Sequence, residues 1–147
     1  MVFPYTTLPN TPPRPYLGVI LRNGFSTSPK VVALVDSGAD RPIFPLEMAV
    51  DFLHLDLSQA KVWRFYGTAN VLQEAKLADV RMAVLTEDDA SQAFEVSVTC
   101  AFCDTFDFPA AAGLLGQDGF FSRFKTTFHQ PYKYFEIEPW PASQLDI

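Results

Sequence analysis

Short apolar runs separated by turn residues follow one another along most of this chain. Val80, Met82 and Val84 recur at every second position, which is the period of a half-buried β-strand. Residues 30–35, Lys-Val-Val-Ala-Leu-Val, are instead continuously apolar and β-branched, which is typical of a strand buried on both faces. These patterns predict strands at 16–21, 30–35, 43–44, 61–65, 71–85, 93–102, 112–115, 125–128 and 132–137.

Helical patterns are short and few. Pro45 suits the first turn of a helix through about Leu53, because Leu46, Ala49 and Leu53 recur at helical spacing. Residues 120–124 have room for one or two further helical turns. Many short strands, few helices and regular turn signals predict a mostly β domain, a small closed β-barrel with one or two short helices.

Proline sets the predicted limits of the domain. Residues 1–15 contain five of the 12 prolines and are expected to form neither a helix nor a central strand. We therefore expect a proline-rich N-terminal arm over 1–15, one domain over 16–138 and a C-terminal tail over 139–147.

Composition narrows the function classes. The 147 residues include 14 phenylalanines, enough for a sizeable core, and the chain is of ordinary length for one domain. The net charge of −6 argues against a nucleic-acid-binding surface, which needs clustered Lys and Arg. No apolar run approaches the roughly 18 residues of a membrane span. The N-terminus lacks the pattern of a signal peptide, so a cytoplasmic location is expected.

The two cysteines, Cys100 and Cys103, form a CxxC pair whose chemistry has to be weighed. A redox pair begins a helix, whereas this one ends the strand pattern at 94–102. On a strand the two thiols point to opposite faces. A zinc site would need two more ligands, and His54 and His129 lie far away without ligand spacing. We expect both cysteines to pack in the interior and to hold no metal.

Asp36 follows directly on the buried strand pattern of 30–35. A carboxylate at such a place is costly unless it is hydrogen-bonded or shares a proton. Ser37 offers a hydroxyl, and Gly38 permits a tight turn whose backbone N–H can approach the carboxylate. Taken alone, Asp-Ser-Gly is more typical of an ordinary strand-to-turn junction than of a catalytic site.

Two longer motifs, one of which contains this tripeptide, follow each other along the chain in the order found in a known protein family. Residues 31–40, Val-Val-Ala-Leu-Val-Asp-Ser-Gly-Ala-Asp, resemble the active-site strand and loop of retroviral-type (retropepsin-like) aspartic proteases. Residues 113–121, Gly-Leu-Leu-Gly-Gln-Asp-Gly-Phe-Phe, resemble the family's second segment, an apolar pair followed by Gly-Arg-Asp/Asn. A glycine-bearing hairpin tip lies between them, where the family has its flap. The resemblance covers roughly residues 16–137.

The resemblance implies an aspartic endopeptidase that hydrolyses peptide bonds with an activated water and needs no metal or cofactor. Asp36 would be the catalytic carboxylate. The residues implied as support around it are Ser37, Gly38, Ala39, Asp40, Gly116, Gln117 and Asp118. The residues implied as flap contacts to the substrate are Tyr66, Gly67, Thr68 and Ala69.

The chain supplies one Asp-Ser-Gly, whereas the mechanism needs two facing carboxylates. The resemblance therefore implies a homodimer with a shared active site acting on a peptide or protein substrate, with no nucleic-acid or membrane partner.

Two departures from the family pattern keep an alternative open. Gln117 occupies the position where the family usually has an Arg that pairs with the second Asp of the loop, here Asp40, although Arg14 resembles an N-terminal Arg that reaches the partner's loop. The predicted flap also has a single glycine, Gly67. The alternative is a weakly active or inactive dimerisation or peptide-binding module. Phosphoryl transfer through an aspartyl phosphate is a further alternative, but it would need more acidic metal ligands near Asp36.

Overall fold

The computed structural model describes residues 1–67, 70–104 and 111–141. This part of the chain is mostly β-structure. Its strands are β1 (Val2–Pro4), β2 (Tyr16–Asn23), β3 (Ser26–Thr27), β4 (Val31–Val35), β5 (Ile43–Pro45), β6 (Val62–Tyr66), β7 (Leu72–Leu85), β8 (Gln92–Cys103), β9 (Gly113–Leu115), β10 (Phe124–His129) and β11 (Tyr134–Pro139).

Six of these strands close a barrel. They are hydrogen-bonded in the order β2-β4-β9-β5-β8-β7, and a further pairing of β2 with β7 completes the ring. Most neighbours are antiparallel, but β4 runs parallel to β9 and β5 runs parallel to β8. Strands β3 and β6 extend the sheet beyond the ring. The predicted mostly β fold with a closed barrel is confirmed.

The helical segments are short, as predicted, and the first lies within the predicted range 45–53. They span Met48–Phe52, Gln117–Phe121 and Gln130–Tyr132. The predicted start of the first helix at Pro45 is wrong, because Pro45 ends β5 opposite Cys103. A strand end tolerates proline because its missing N–H interrupts no continuing ladder. No helix in the described ranges is long and apolar enough to cross a bilayer.

Phenylalanine fills much of the core. Five of the largest fully buried side chains are phenylalanines, namely Phe44, Phe102, Phe120, Phe124 and Phe135. The Phe120 ring centre lies 5.3 Å from that of Phe124, and the Phe44 ring centre lies 6.5 Å from that of Phe102. Burying a side chain of this size contributes about 1.5–3 kcal/mol, so these rings are a major source of stability.

A second, three-stranded sheet involves both ends of the described chain. Strand β1 pairs antiparallel with β11, which pairs in turn with β10. Phe3 is buried, and its ring stacks on Phe135 with centres 5.5 Å apart. The chain forms a loop between Thr6 and Arg14, and the backbones of these two residues pair in an antiparallel bridge. The first residues of segment 1–15 therefore pack against the core of the same chain, and a turn follows in which the Thr11 N–H donates to the Leu8 carbonyl at 3.1 Å.

The two cysteines lie on opposite faces of β8, as predicted. Cys100 packs in the main core, and Cys103 packs in a smaller cluster with Ile43, Ala75 and Ala101. Burial, together with the nearby Asp79 carboxylate, raises the pKa of the Cys100 thiol well above its ordinary value. A thiol held protonated in this way is a poor nucleophile and a poor metal ligand.

Candidate active site

The parallel pairing of β4 with β9 determines where the site forms. The register places Val35 opposite Leu115, so both strands end at the same edge of the sheet. The Asp36 N–H donates to the Leu115 carbonyl at 2.9 Å, which extends the pairing by one residue. The loop 36–40 and the turn 116–118 consequently leave the barrel side by side.

The Asp36 carboxylate is oriented by its own loop. Its Oδ1 accepts a hydrogen bond from the Gly38 N–H at 2.9 Å. A β-carbon at position 38 would lie 3.2 Å from that oxygen, so glycine allows the close approach. The Ser37 side chain is exposed, and within the described residues its hydroxyl makes no hydrogen bond. The expected support from the Ser37 hydroxyl is therefore not seen, and this residue contributes its carbonyl instead.

Gln117 ties the two segments together. Its side-chain Nε2 donates to the Ser37 carbonyl at 2.6 Å, and its backbone N–H donates to the Ala39 carbonyl at 2.8 Å. The neighbouring Asp118 N–H donates to the Asp40 carbonyl at 2.8 Å. The neutral Gln117 amide thus holds the loop through the Ser37 carbonyl oxygen and provides no charged link to the Asp40 carboxylate.

Position 116 must be glycine because there is no space there for a side chain. A β-carbon at this position would lie 2.5 Å from the Ala39 carbonyl oxygen and 2.7 Å from the Arg41 nitrogen. Both contacts are with backbone atoms, which cannot rotate away. The loop and the turn can pack this closely only because position 116 has no side chain.

A cleft of about 590 Å³ opens above Asp36. Asp36, Gly38 and Asp40 line one side of the cleft, and residues 63–67 line the other. Among these, Trp63 and Phe65 stack with ring centres 4.4 Å apart and give this wall an aromatic surface.

Trp63, Phe65, Ile43 and Leu114 also line the cleft and were not singled out as site residues from the sequence. The signal for Trp63 and Phe65 was present, because they alternate in the strand that leads to the predicted flap tip. Ile43 and Leu114 face each other across β5 and β9, a pairing that no local pattern indicates.

The predicted flap is a hairpin formed by β6 and β7. Tyr66 pairs with Leu72 at its outer end, and the Gly67 N–H donates to the Val71 carbonyl at 3.0 Å. Tyr66 and Gly67 both border the cleft. The other two predicted flap contacts, Thr68 and Ala69, lie outside the described residues.

The lining of the cleft includes charges of both signs. Asp36 and Asp40 contribute carboxylates, and Arg64 contributes a guanidinium that pairs with Glu74 at 3.2 Å. Among the described residues, no three His, Cys, Asp or Glu side chains come together as metal ligands. Carboxylates that line a cleft can exchange protons with a bound water molecule.

Comparison with known proteins connects this geometry to a fold. No family model matches the chain, and a search of curated proteins gives no significant match. Among solved structures, the chain is similar to a retropepsin-like aspartic protease from Rickettsia conorii, with a TM-score of 0.53 and 18% identity. The alignment covers 92% of this chain and 86% of that one. The chain has a retropepsin-like fold. At this level of identity the likeness establishes the fold alone.

Proposed function

We propose that the protein is an aspartic endopeptidase in which Asp36 of two subunits activates a water molecule. The observation that carries the proposal is the fixed position of Asp36 in the lining of the cleft. Its backbone continues a buried strand, its carboxylate accepts the Gly38 N–H at 2.9 Å, and Gln117 holds the neighbouring carbonyl. A catalytic carboxylate needs this preorganisation, because general acid–base efficiency depends on geometry first.

The chemistry requires a second carboxylate. Two facing aspartates cannot both ionise at short distance, so they share one proton and can act as base and acid in turn. One carboxylate takes a proton from water, which then attacks the scissile carbonyl carbon. The other protonates the carbonyl oxygen, and a proton later passes to the leaving amine as the C–N bond breaks. Because each chain has one Asp-Ser-Gly, a two-fold homodimer is part of the proposal.

The flap hairpin has an edge and a surface that suit binding of a peptide substrate. Strand β6 is the last strand of its sheet and pairs only with β7 in the described structure. Its other edge is therefore available to hydrogen-bond an extended backbone, the usual way in which a sheet edge binds a peptide. Trp63 and Phe65, two residues of β6 that line the cleft, provide apolar contact area for side chains of the peptide.

A peptide-library digest tests the proposed activity. We expect the wild type to cleave a subset of peptides and Asp36→Asn to cleave none of them. Both proteins should be made in parallel from the same host, so that a contaminating protease would appear in both. Equal cleavage by the two proteins would remove Asp36 from the catalytic role.

Sedimentation velocity over a micromolar concentration range tests the shared site. We expect a concentration-dependent homodimer and cleavage activity that follows the dimer fraction. A chain that remains monomeric at high concentration and still cleaves peptides would rule out a dyad built from two copies of Asp36.

A peptide-binding or dimerisation module is the second candidate. The neutral Gln117–Ser37 link favours it, since the charged link that the resemblance implies is missing at this position. A module would bind the library peptides without cleaving them, and Asp36→Asn would bind them equally well. Measuring peptide binding and cleavage on the same protein sample separates the two functions.

A further inference from the structure

A second groove lies beyond the aromatic wall of the cleft. It has a volume of about 800 Å³, and its polar lining includes Arg41, Lys61, Asp79, Thr99, Asp118 and Arg123. We call it the flank groove. It is bordered by β7, β8 and the turn that follows the second motif.

Three basic side chains converge on the flank groove from separate parts of the chain. Arg41 follows the Asp36 loop, Lys61 precedes β6, and Arg123 follows the turn Gln117–Phe121. In the described part of the chain, no carboxylate oxygen lies within 4.0 Å of any of them. The Arg41 Nε is buried without a hydrogen-bond partner, which leaves one donor of that guanidinium unused.

The charge of the flank groove differs in sign from that of the whole chain. Three cations against the two carboxylates of Asp79 and Asp118 leave one net positive charge, whereas the chain carries −6. Asp79 already accepts a hydrogen bond from the Thr99 hydroxyl. Surface carboxylates far from the groove repel an anion only weakly, because salt screens charges over about 8 Å at physiological ionic strength. The net charge of the groove itself therefore decides which ligands it attracts.

The flank groove adjoins the candidate active site, because residues that line one contact residues that line the other. The Arg41 guanidinium carbon lies 4.8 Å from the ring centre of Trp63, and Trp63 lines the cleft on its other side. The backbone bond between Asp118 and Asp40 joins a groove residue to a cleft residue in the same way. A peptide that lies extended in the cleft and continues past the Arg41–Trp63 contact therefore enters the flank groove.

From this arrangement we propose that the flank groove binds acidic side chains of the peptide substrate, at positions remote from the bond that is cleaved. The inference rests on the proposed function for the identity of its ligand as a peptide substrate. Arginine suits the task, because its guanidinium binds a carboxylate through two parallel hydrogen bonds and stacks on an aromatic ring at the same time. Lys61 and Arg123 add charge on the outer side.

The test uses peptide pairs that share one cleavable segment and differ only in a distal tail of Glu or of Gln. The measured quantity is the ratio of kcat/KM for the Glu peptide to that for the Gln peptide. For the wild type we expect a ratio of about 3 to 10, in the range of a few exposed ion pairs. Lys61→Gln and Arg123→Gln should each lower the ratio. The double variant leaves Arg41 against the carboxylates of Asp79 and Asp118, so the net charge of the groove becomes negative and the ratio should fall close to about 1.

Matched variants separate local charge from other effects. Lys133→Gln removes the same charge from an exposed residue just before β11, outside the groove, and should leave the ratio unchanged. Arg123→Lys keeps the charge and should retain most of the preference. Arg41 is left intact because it also packs against Trp63. Both kcat/KM values in the ratio are measured on the same protein sample. A smaller amount of folded or dimeric protein lowers both values equally and leaves the ratio unchanged.

A parallel binding measurement distinguishes failure of this inference from failure of the proposed function. Fluorescence anisotropy of the same labelled peptides is measured with Asp36→Asn, alone and combined with Lys61→Gln/Arg123→Gln. One outcome is that the wild type cleaves no peptide, while Asp36→Asn binds the Glu tail more tightly than the Gln tail and the combined variant loses this preference. The groove proposal is then supported, and the protease proposal fails. If the Glu preference is absent, or survives Lys61→Gln/Arg123→Gln, the inference is overturned.

Discussion

The Asp36 loop and the flap hairpin border the same cleft but are held in opposite ways. Four hydrogen bonds join the loop 36–40 to the segment 115–118, one of them from a side chain. The base of the flap hairpin packs through Trp63 and Phe65 on the cluster around Ile43. Its outer end is held by β6–β7 pairing, and the residues Val62, Tyr66, Val71 and Leu72 are between 46% and 69% exposed. One wall of the cleft is cross-linked, and the other is a lightly packed edge.

This difference fits the two tasks in the proposed mechanism. Proton transfer requires a carboxylate that is held within fractions of an ångström, because misplacement by about 1 Å can cost about 10²-fold in rate. Substrate entry requires a wall that can move, and segments with few buried contacts open at the lowest free energy. The following predictions test the contrast between a rigid loop and an adaptable flap.

The largest effect is expected from Asp36→Asn. An amide can still accept the Gly38 N–H through its oxygen, but it cannot act as the base or share a proton. We expect kcat/KM to fall by at least about 10²-fold, while the free energy of unfolding changes by no more than about 0.5 kcal/mol. Asp51→Asn is the matched control, because Asp51 is exposed and lies outside the cleft lining. A large loss of stability would mean that the effect on rate is not chemical.

Arg14→Ala tests whether a second chain completes the loop region. Arg14 is half-buried and has no carboxylate within 4.0 Å among the described residues. If it pairs with the partner's loop in a desolvated contact, its loss should weaken the dimer by on the order of 2–5 kcal/mol. A screened surface contact would cost about 1 kcal/mol or less.

The dimer dissociation constant from sedimentation decides between these two values. An unchanged constant would show that Arg14 is not part of the interface. Truncation of the whole segment 1–13 is a less direct test, because it also removes Phe3 from the core.

Gly116→Ala and Gly67→Ala compare the two walls by the same change. The new β-carbon at 116 meets backbone atoms at 2.5 Å, whereas the one at 67 meets the Gln73 side-chain amide at 2.7 Å. A flexible side chain can move, and a cross-linked backbone cannot. We expect Gly116→Ala to lower the free energy of unfolding by about 1–3 kcal/mol and Gly67→Ala to lower it by less. Urea denaturation measures both, and an equal cost would contradict the contrast.

Gln117→Ala removes the one side chain that cross-links the loop to the neighbouring turn. The lost hydrogen bond to the Ser37 carbonyl should cost about 0.5–1.5 kcal/mol of stability. We also expect kcat to fall more than KM rises, because the substrate contacts stay while Asp36 is held less firmly. Gln59→Ala, at an exposed position outside the cleft, serves as the control. If only KM changed, Gln117 would act on the substrate and not on the loop.

Tyr66→Ala should have the smallest effect on stability. The side chain is 69% exposed, so we expect the free energy of unfolding to change by no more than about 0.5 kcal/mol. Because Tyr66 borders the cleft, peptide KM should rise with little change in kcat. Thermal melts and steady-state kinetics on the same preparation provide both values, and a marked fall in melting temperature would show that the flap is packed more firmly than its exposure indicates.

The sequence by itself determined the local elements. Alternation over 71–85 and the apolar run before Asp36 predicted β7 and β4 to within one residue at each end, because the period of hydrophobic burial is a property of neighbouring residues. It also indicated that Cys100 and Cys103 diverge, since opposite faces follow from strand geometry alone. Pro45 was the exception. Its preference for a first helical turn was overridden by the parallel pairing of β5 with β8.

Only the tertiary structure decided which of these elements meet. The register of Ala33 with Gly113 brings Gln117 to the Ser37 carbonyl, and those two residues are 80 positions apart. The same packing places Trp63 over the cleft and gathers Arg41, Lys61 and Arg123 around one groove. Local patterns carry no information about such contacts, because they depend on how a closed barrel aligns strands that are distant in the chain.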